Sequence, residues 1–363
     1  MLVIGISFCG QIMAQGGVGS LLKKVGTFID SMSVRGVDRS YIDAPEKPWQ
    51  LIVKGNVSQT IVSMRTEGSM AGHDYSAKPS LKTTPAQYVG LWAGYRGYGF
   101  GYTVNVGGDK GSYLTVGATG GAFGINVRIH SFDNSNPDFN LNSSLLSEDQ
   151  TESWNDVHLT DPIRVKTIIA DGYYMFNGKK FSYAAAYDQS LVQLRSAGSF
   201  VAGARYFHSN YDYAHDSNAD IILNMNNIGR IRTWQVSIGA GYAYNWVPAK
   251  GWLFSIIAMP MVTAYNHIKI DTYDSNYRQL ALDEVFHEDD ELPRQDYRIT
   301  PMGTESHNSR IQLNVNSRAS LTYSASRWFV NLNGNLYHSR YRYHSNSGHL
   351  NDWSVNANVG IRF

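Results

Sequence analysis

Chemistry in this chain could begin where histidine stands beside a carboxylate and a hydroxyl. His130 and His158 flank a polar stretch that also holds Ser131, Asp133 and Asp156, the residue types of a base, a nucleophile and an orienting group. No Gly-x-Ser-x-Gly elbow accompanies them. The expectation is therefore a polar interior residue at His130, a solvated loop residue at His158, and no catalytic assignment. The run Asp283-Glu284-Val285-Phe286-His287-Glu288-Asp289-Asp290-Glu291 offers oxygen ligands to a hard cation such as Ca²⁺. It lacks the alternating Asp/Asn ligands and central glycine of a helix-loop-helix calcium site, and reads as a solvated acidic loop. His208, Asp212, His215, Asp216 and Asp220 are a second, weaker metal possibility. These spacings assign no metal and no cofactor.

The elements that would position such residues are written in a period of two. Trp353, Val355, Ala357, Val359, Ile361 and Phe363 alternate with Ser354, Asn356, Asn358, Gly360 and Arg362, so one face is apolar and the other polar. Trp234, Val236, Ile238, Ala240, Tyr242, Tyr244 and Trp246 do the same, as do Tyr98 to Val106, Phe123 to Ile129 and Ile311 to Val315. A soluble sandwich also alternates, but its strands average about 5 or 6 residues and its wet face carries Lys and Glu. Here the runs are longer, and the polar face is Asn, Gln, Ser, Gly and Arg. That pattern suits a strand with lipid outside and a crowded polar lumen inside. Trp234 and Trp246 would stand about 40 Å apart along a strand, or about 30 Å after a tilt of about 40°, which matches the apolar band of a bilayer. Trp49, Trp234, Trp246, Trp252, Trp328, Trp353 and Phe363 are accordingly the expected aromatic girdle.

Lys54, Arg128, His130, Arg205, Arg318 and Arg362 share the parity of the polar faces and are the candidate lumen residues. They would either complete a closed, ion-paired interior or line a narrow path for anions.

The expected fold is all-β: a transmembrane antiparallel barrel of about ten strands, near 50–64, 87–106, 112–132, 161–176, 193–208, 231–247, 251–271, 307–324, 327–343 and 351–363. The alternative is twelve, if 177–192 forms its own hairpin. Gly107 to Gly111, Pro248 to Lys250 and Ser324 to Ser326 are read as short periplasmic turns. Residues 65–86, 133–160, 209–230 and 272–306 are read as long outer loops, with a brief one at 344–350.

Residues 1–16 read as a signal peptide, an apolar run ending in Ala14-Gln15-Gly16. A basic n-region is missing, which puts the true start upstream or slightly elsewhere. Cys9 is the one cysteine and falls inside that segment, so the exported chain would carry no disulfide and no cysteine metal site. Lipidation of Cys9 is the lesser alternative, because bulky Phe8 precedes it. Residues 17–48 form a periplasmic segment in which Leu21, Leu22, Val25, Phe28, Ile29 and Met32 recur at helical spacing. This short amphipathic helix would pack on the barrel mouth, plug the lumen or lie on the inner leaflet. Residues 49–363 are the barrel. With 31 basic and 30 acidic side chains nothing calls for a polyanionic partner, and nucleic acid is set aside. Thirteen per cent aromatics, 34 glycines and a mean hydropathy of −0.30 fit alternating strands and not a greasy helical protein.

Asp38-Arg39-Ser40-Tyr41-Ile42 leading to Pro48-Trp49, Gly90-Leu91-Trp92 through Gly101-Tyr102, Phe181-Ser182-Tyr183-Ala184-Ala185, and Gln193 with Ser196-Ala197-Gly198-Ser199 together resemble a family of exported proteins of Gram-negative bacteria, described as a domain of unknown function (DUF4421). The resemblance runs from about residue 35 to the end. It implies an outer-membrane location and brings no activity, substrate or functional residue to carry over. Phe363 also looks like the aromatic C-terminal signal read by the barrel-assembly machinery, which is thereby an expected partner beside outer-membrane lipid and a possible extracellular ligand. Three functions are expected in descending order: a non-enzymatic binding or structural barrel with long extracellular loops, a narrow pore for small anionic solutes, and an outer-membrane hydrolase.

Overall fold

A computed structural model of the chain describes residues 36–70, 73–107, 109–145, 148–154, 159–219, 222, 225, 227–275, 298–308, 312–343 and 346–363. The signal segment, the amphipathic stretch at 21–32, Asp156, His158, Asp220 and the acidic run 283–291 lie outside the described residues.

Among the described residues, twelve antiparallel strands pair in sequence order: β1 (Trp49–Met70), β2 (Ala86–Tyr95), β3 (Tyr98–Asn105), β4 (Gly111–Thr119), β5 (Phe123–Asn134), β6 (Ile163–Met175), β7 (Ala197–Asp212), β8 (Ile228–Trp246), β9 (Trp252–Ser275), β10 (Gln312–Ser324), β11 (Trp328–Tyr343) and β12 (Asn346–Arg362). β12 returns to β1, with Asn346 opposite Thr66 and Arg362 opposite Gln50. The sheet is thus closed, and the barrel rim leaves no unpaired edge. Phe363 and Trp49 exchange backbone hydrogen bonds at 3.1 and 3.2 Å where the two ends meet.

Period-two alternation decides what faces where. On β12 Val355, Val359 and Ile361 stand exposed on the outside while Ser354, Asn358 and Arg362 are buried inside. The same holds around the wall, with Leu51, Val53, Leu91, Phe100, Val116, Ile125, Ile238, Ile256, Val315 and Leu332 outward. A belt of bare aliphatic and aromatic side chains around a polar interior is stable only with a bilayer on the outside.

The count is twelve, not about ten, for a reason visible in the alternation. Outward side chains are odd-numbered in β2 (Val89, Leu91) and even-numbered in β3 (Phe100, Tyr102, Val104). The parity changes because Arg96 and Gly97, both at positive φ, make a two-residue turn that sets Tyr95 opposite Tyr98. β4 and β5 are likewise separated at 120–122, with even Leu114 and Val116 outward before the turn and odd Ile125 and Ile129 after it. The runs 87–106 and 112–132 are each a hairpin, not one strand. As a second correction, the connection 106–110 lies at the same end as the long loops, where Asp109 is hydrogen-bonded to the start of the next loop at Ser135.

Beyond the barrel the outer end is built up. A spanning strand needs about 9–11 residues, yet β1 has 22 and β9 has 24. The surplus carries His73–Lys82, Asp138–Leu145 and Glu148–Trp154 paired in series on β1, and Ile299–Asn308 on β9.

Candidate functional site

The lumen is the site. Its floor is the connection 176–196 between β6 and β7, which turns back into the barrel instead of crossing the mouth by a short turn. This segment is not a strand hairpin either. Ser182 caps a single helical turn, α1 (Tyr183–Tyr187), accepting from the Ala185 backbone N–H at 3.0 Å. Phe181, Ala184, Ala185 and Ala186 are small or apolar and fully buried; this is a plug that packs by shape. Val192 and Gln193 pair with Asp43 and Ile42, so the N-terminal approach to the barrel closes the same mouth, with Ile42 completely buried.

Lumen side chains from four strands hold the plug. The Asn245 amide on β8 donates to the Ser182 carbonyl and to Gln193 Oε1, both at 3.0 Å. Arg318 on β10 donates to the Tyr183 hydroxyl at 2.8 Å. Asn331 on β11 reaches the Ala186 carbonyl at 3.1 Å, and Arg362 on β12 reaches the Gln189 carbonyl at 2.9 Å. These bonds satisfy plug carbonyls that could not otherwise be buried. Burial pushes the Asp188 carboxyl, at the end of α1, above its usual 3.8, against the bonds it accepts from Ser190 and the pull of Lys54.

At mid-lumen Arg318 also meets Asp171 at 2.8 Å, and Arg205 meets the other oxygen of that carboxylate at 3.4 Å. All three are almost fully buried. Arg205 lies 3.9 Å from the Tyr337 ring and Arg318 4.6 Å from that of Tyr173, so aromatic faces stabilise the second cation that one carboxylate cannot neutralise. Beside them runs an amide ladder: Asn356 donates to Asn333, Asn333 and Asn358 donate to Asn331, and Asn56 donates to Asn356, all at 2.7–3.0 Å.

The structure places Lys54 against Trp92, 4.4 Å from the ring centroid. The indole lies in a glycine cradle, where a Cβ at Gly99, Gly101 or Gly117 would stand 2.8–2.9 Å from it. Arg128 and His130 line the lumen above, and His130 Nε2 is 2.7 Å from the Tyr88 hydroxyl. Ser131 lies on the exposed outer face of β5. The strand period therefore separates it from His130, and the two form no catalytic pair. His208 stacks on Trp234 at 4.9 Å, Asp212 pairs with Arg230 at 2.8 Å, His215 with Asp161 at 3.5 Å, and Asp216 takes the Ile299 N–H at 2.8 Å. The described members of the second metal candidate are thus dispersed among different partners.

Trp49, Trp246, Trp252, Trp328 and Phe363 stand half-exposed at the strand ends on the plug side, with Tyr95 4.8 Å from Trp49 and Tyr323 5.4 Å from Trp328. Trp234 and Trp353 lie toward the other end, partly buried, Trp353 donating to Gln59 at 3.2 Å.

Sequence reasoning gave no site role to Asp171, Asp188, Tyr183 or Asn245. Asp171 sits in a strand apolar on both faces (Ile163, Val165 and Ile169 inside; Ile168 and Tyr174 outside), which blurs the alternation. The usable signal was its charge, since a carboxylate in a spanning strand must face inward.

A closed, polar-cored barrel wrapped in an apolar belt is the architecture of an outer-membrane protein, and this chain is one. Residues 36–363 match the family described as Domain of unknown function (DUF4421), and the chain belongs to that family. Solved structures it is similar to include the outer membrane protease OmpT from Escherichia coli (9% identity, 88% of this chain and 97% of that chain, TM-score 0.39). Others are an outer membrane channel from Pseudomonas putida F1 (12%, 88% and 97%, 0.29) and the β domain of the Bordetella autotransporter BrkA (11%, 88% and 100%, 0.28). Likeness at these scores transfers no activity. No curated protein matches the chain.

Proposed function

We propose that this protein is a non-enzymatic, plugged outer-membrane barrel that works at its extracellular end, holding a strand-built platform above the bilayer for a surface ligand. The observation that carries this reading is the plug, locked to four strands by Asn245, Arg318, Asn331 and Arg362. A pore needs a continuous water path; here the periplasmic half of the lumen is filled with buried Phe181, Tyr183 and Ala184. The strand surplus of β1 and β9 gives the outer end its mass. On this reading lipid covers the apolar belt, and the terminal Phe363 is what the barrel-assembly machinery reads.

The hydrolase reading loses its pairing of His130 with Ser131, because His130 is engaged with Tyr88 and Ser131 lies on the outer face; His158 and Asp156 lie outside the described residues. A second reading, a gated path for small anions, is favoured by one observation. Three cavities follow each other down one wall, sharing Asn56, Tyr113 and Arg128 at one junction and Lys54, Asn126 and Asn358 at the next.

Liposome swelling separates the two. Vesicles carrying the refolded protein should hold entrapped pentose as tightly as protein-free vesicles, while a variant shortened at 67–82 still migrates as a folded barrel. Rapid swelling with wild type would rule out the plugged scaffold and leave the path.

A further inference from the structure

The middle of the three cavities, about 100 Å³, is lined by three cations and no carboxylate: Lys54 from β1, Arg128 from β5 and Arg318 from β10. Arg318 is already matched, since it shares Asp171 with Arg205. The other two are not. Among the described residues neither Arg128 nor Lys54 makes a direct ion pair; Lys54 rests on the Trp92 ring at 4.4 Å and feels the Asp188 carboxylate only at longer range. The other lumenal carboxylates line the neighbouring cavities, Asp352 above with Arg128 and Asp188 below with Lys54. Two half-buried cations without a direct ion-pair partner leave this chamber with positive charge that an entering anion would neutralise.

The remaining walls suit such a charge. Asn126 lines the chamber with its amide uncommitted among the described residues, and Asn356 and Asn358 each spend one N–H on the ladder, leaving the second to donate. Ammonium, guanidinium and amide N–H groups give the lining a surplus of donors, beside the unpartnered Oδ1 atoms of Asn56 and Asn358, and a surplus of donors suits a group that only accepts. The volume is several times the ~10–15 Å³ that one water centre needs, which is room for a compact tetrahedral anion with part of its hydration. Tyr183 and Tyr187 of the plug form its floor, and Arg128 is common to this chamber and the cavity on its extracellular side.

The geometry points to a lumenal binding site for one small oxyanion, of the size of phosphate or sulfate, held between Arg128 and Lys54. The site does not depend on the plug moving, and so stands apart from whether the barrel conducts.

Isothermal titration of the refolded full chain with inorganic phosphate, and then sulfate, at constant ionic strength in chloride tests it. Wild type should bind one anion per barrel, saturably. Arg128→Gln and Lys54→Met should each bind at least tenfold more weakly, Arg128→Lys should stay within a few-fold of wild type, and Lys250→Gln in an exposed turn should be unchanged. Thermal unfolding supplies a second readout: phosphate should raise the wild-type midpoint and leave that of Arg128→Gln in place. Without phosphate, Arg128→Gln should unfold no lower than wild type, because an unpaired charge has been removed. No saturable binding by wild type, equal binding by Arg128→Gln and Lys54→Met, or an Arg128→Gln barrel that fails to fold in phosphate-free buffer would each overturn the assignment.

Discussion

Asp171 is one carboxylate serving two guanidiniums inside a protein, and removing it strands both. Asp171→Asn should lower the stability of the folded barrel by about 3–5 kcal/mol, read as a fall in the urea midpoint at constant slope. An unchanged midpoint would mean that Arg205 and Arg318 are held by Tyr337 and Tyr173 alone. Asp188 poses the opposite problem. Its carboxyl is raised above 3.8 by burial, so the native state holds its proton to higher pH than the unfolded chain does. The stability this contributes is complete below pH 3.8 and is lost as pH rises through the folded value. Asp188→Asn, which cannot ionise, should therefore be more stable than wild type at neutral pH, with the difference shrinking on acidification towards pH 3.8. A difference that grows on acidification would reverse the sign of the argument. Arg318 and Asp171 are 147 positions apart. A strand's period tells which face a side chain shares, but not what waits across the lumen, so the partners of Arg205, Arg318 and Arg362 were beyond the reach of the sequence.

At the level of elements, most of the strands were legible and two turns were not. The run from Trp234 to Trp246 kept strict alternation and is part of one strand. Residues 87–106 also look continuous until the outward side chains change from odd to even numbers at Arg96-Gly97. That change of parity is present in the sequence, and with the one at 120–122 it specifies twelve strands without the hairpin at 177–192. Gly97 carries the turn at φ +88°, and a side chain there would also press on Thr119. Gly97→Ala should therefore cost at least about 1–2 kcal/mol in unfolding experiments, whereas Gly172→Ala, with open space around its Cβ position, should cost less. The plug was the harder case. Its sequence begins with a good turn, Asn177-Gly178, and its single helical turn is too short to show a helical period. What marked it was only that a connection between strands was too long and too apolar for a turn.

The whole molecule is a wall, a plug and a platform. The wall follows from alternation, and its half-exposed rings at the plug-side mouth, Trp49, Trp246, Trp252, Trp328 and Phe363, all stand beside strand ends. On the proposed reading the plug is what closes the lumen. The direct test is single-channel conductance in a planar bilayer, with wild type beside a variant in which residues 181–191 are replaced by a short Gly-Ser linker. Wild type should be silent, and the plug-less barrel should show steady steps carried mainly by anions, because Lys54, Arg128, Arg318 and Arg362 still line it. Wild-type steps equal to those of the variant would show that the plug closes nothing and would contradict the account.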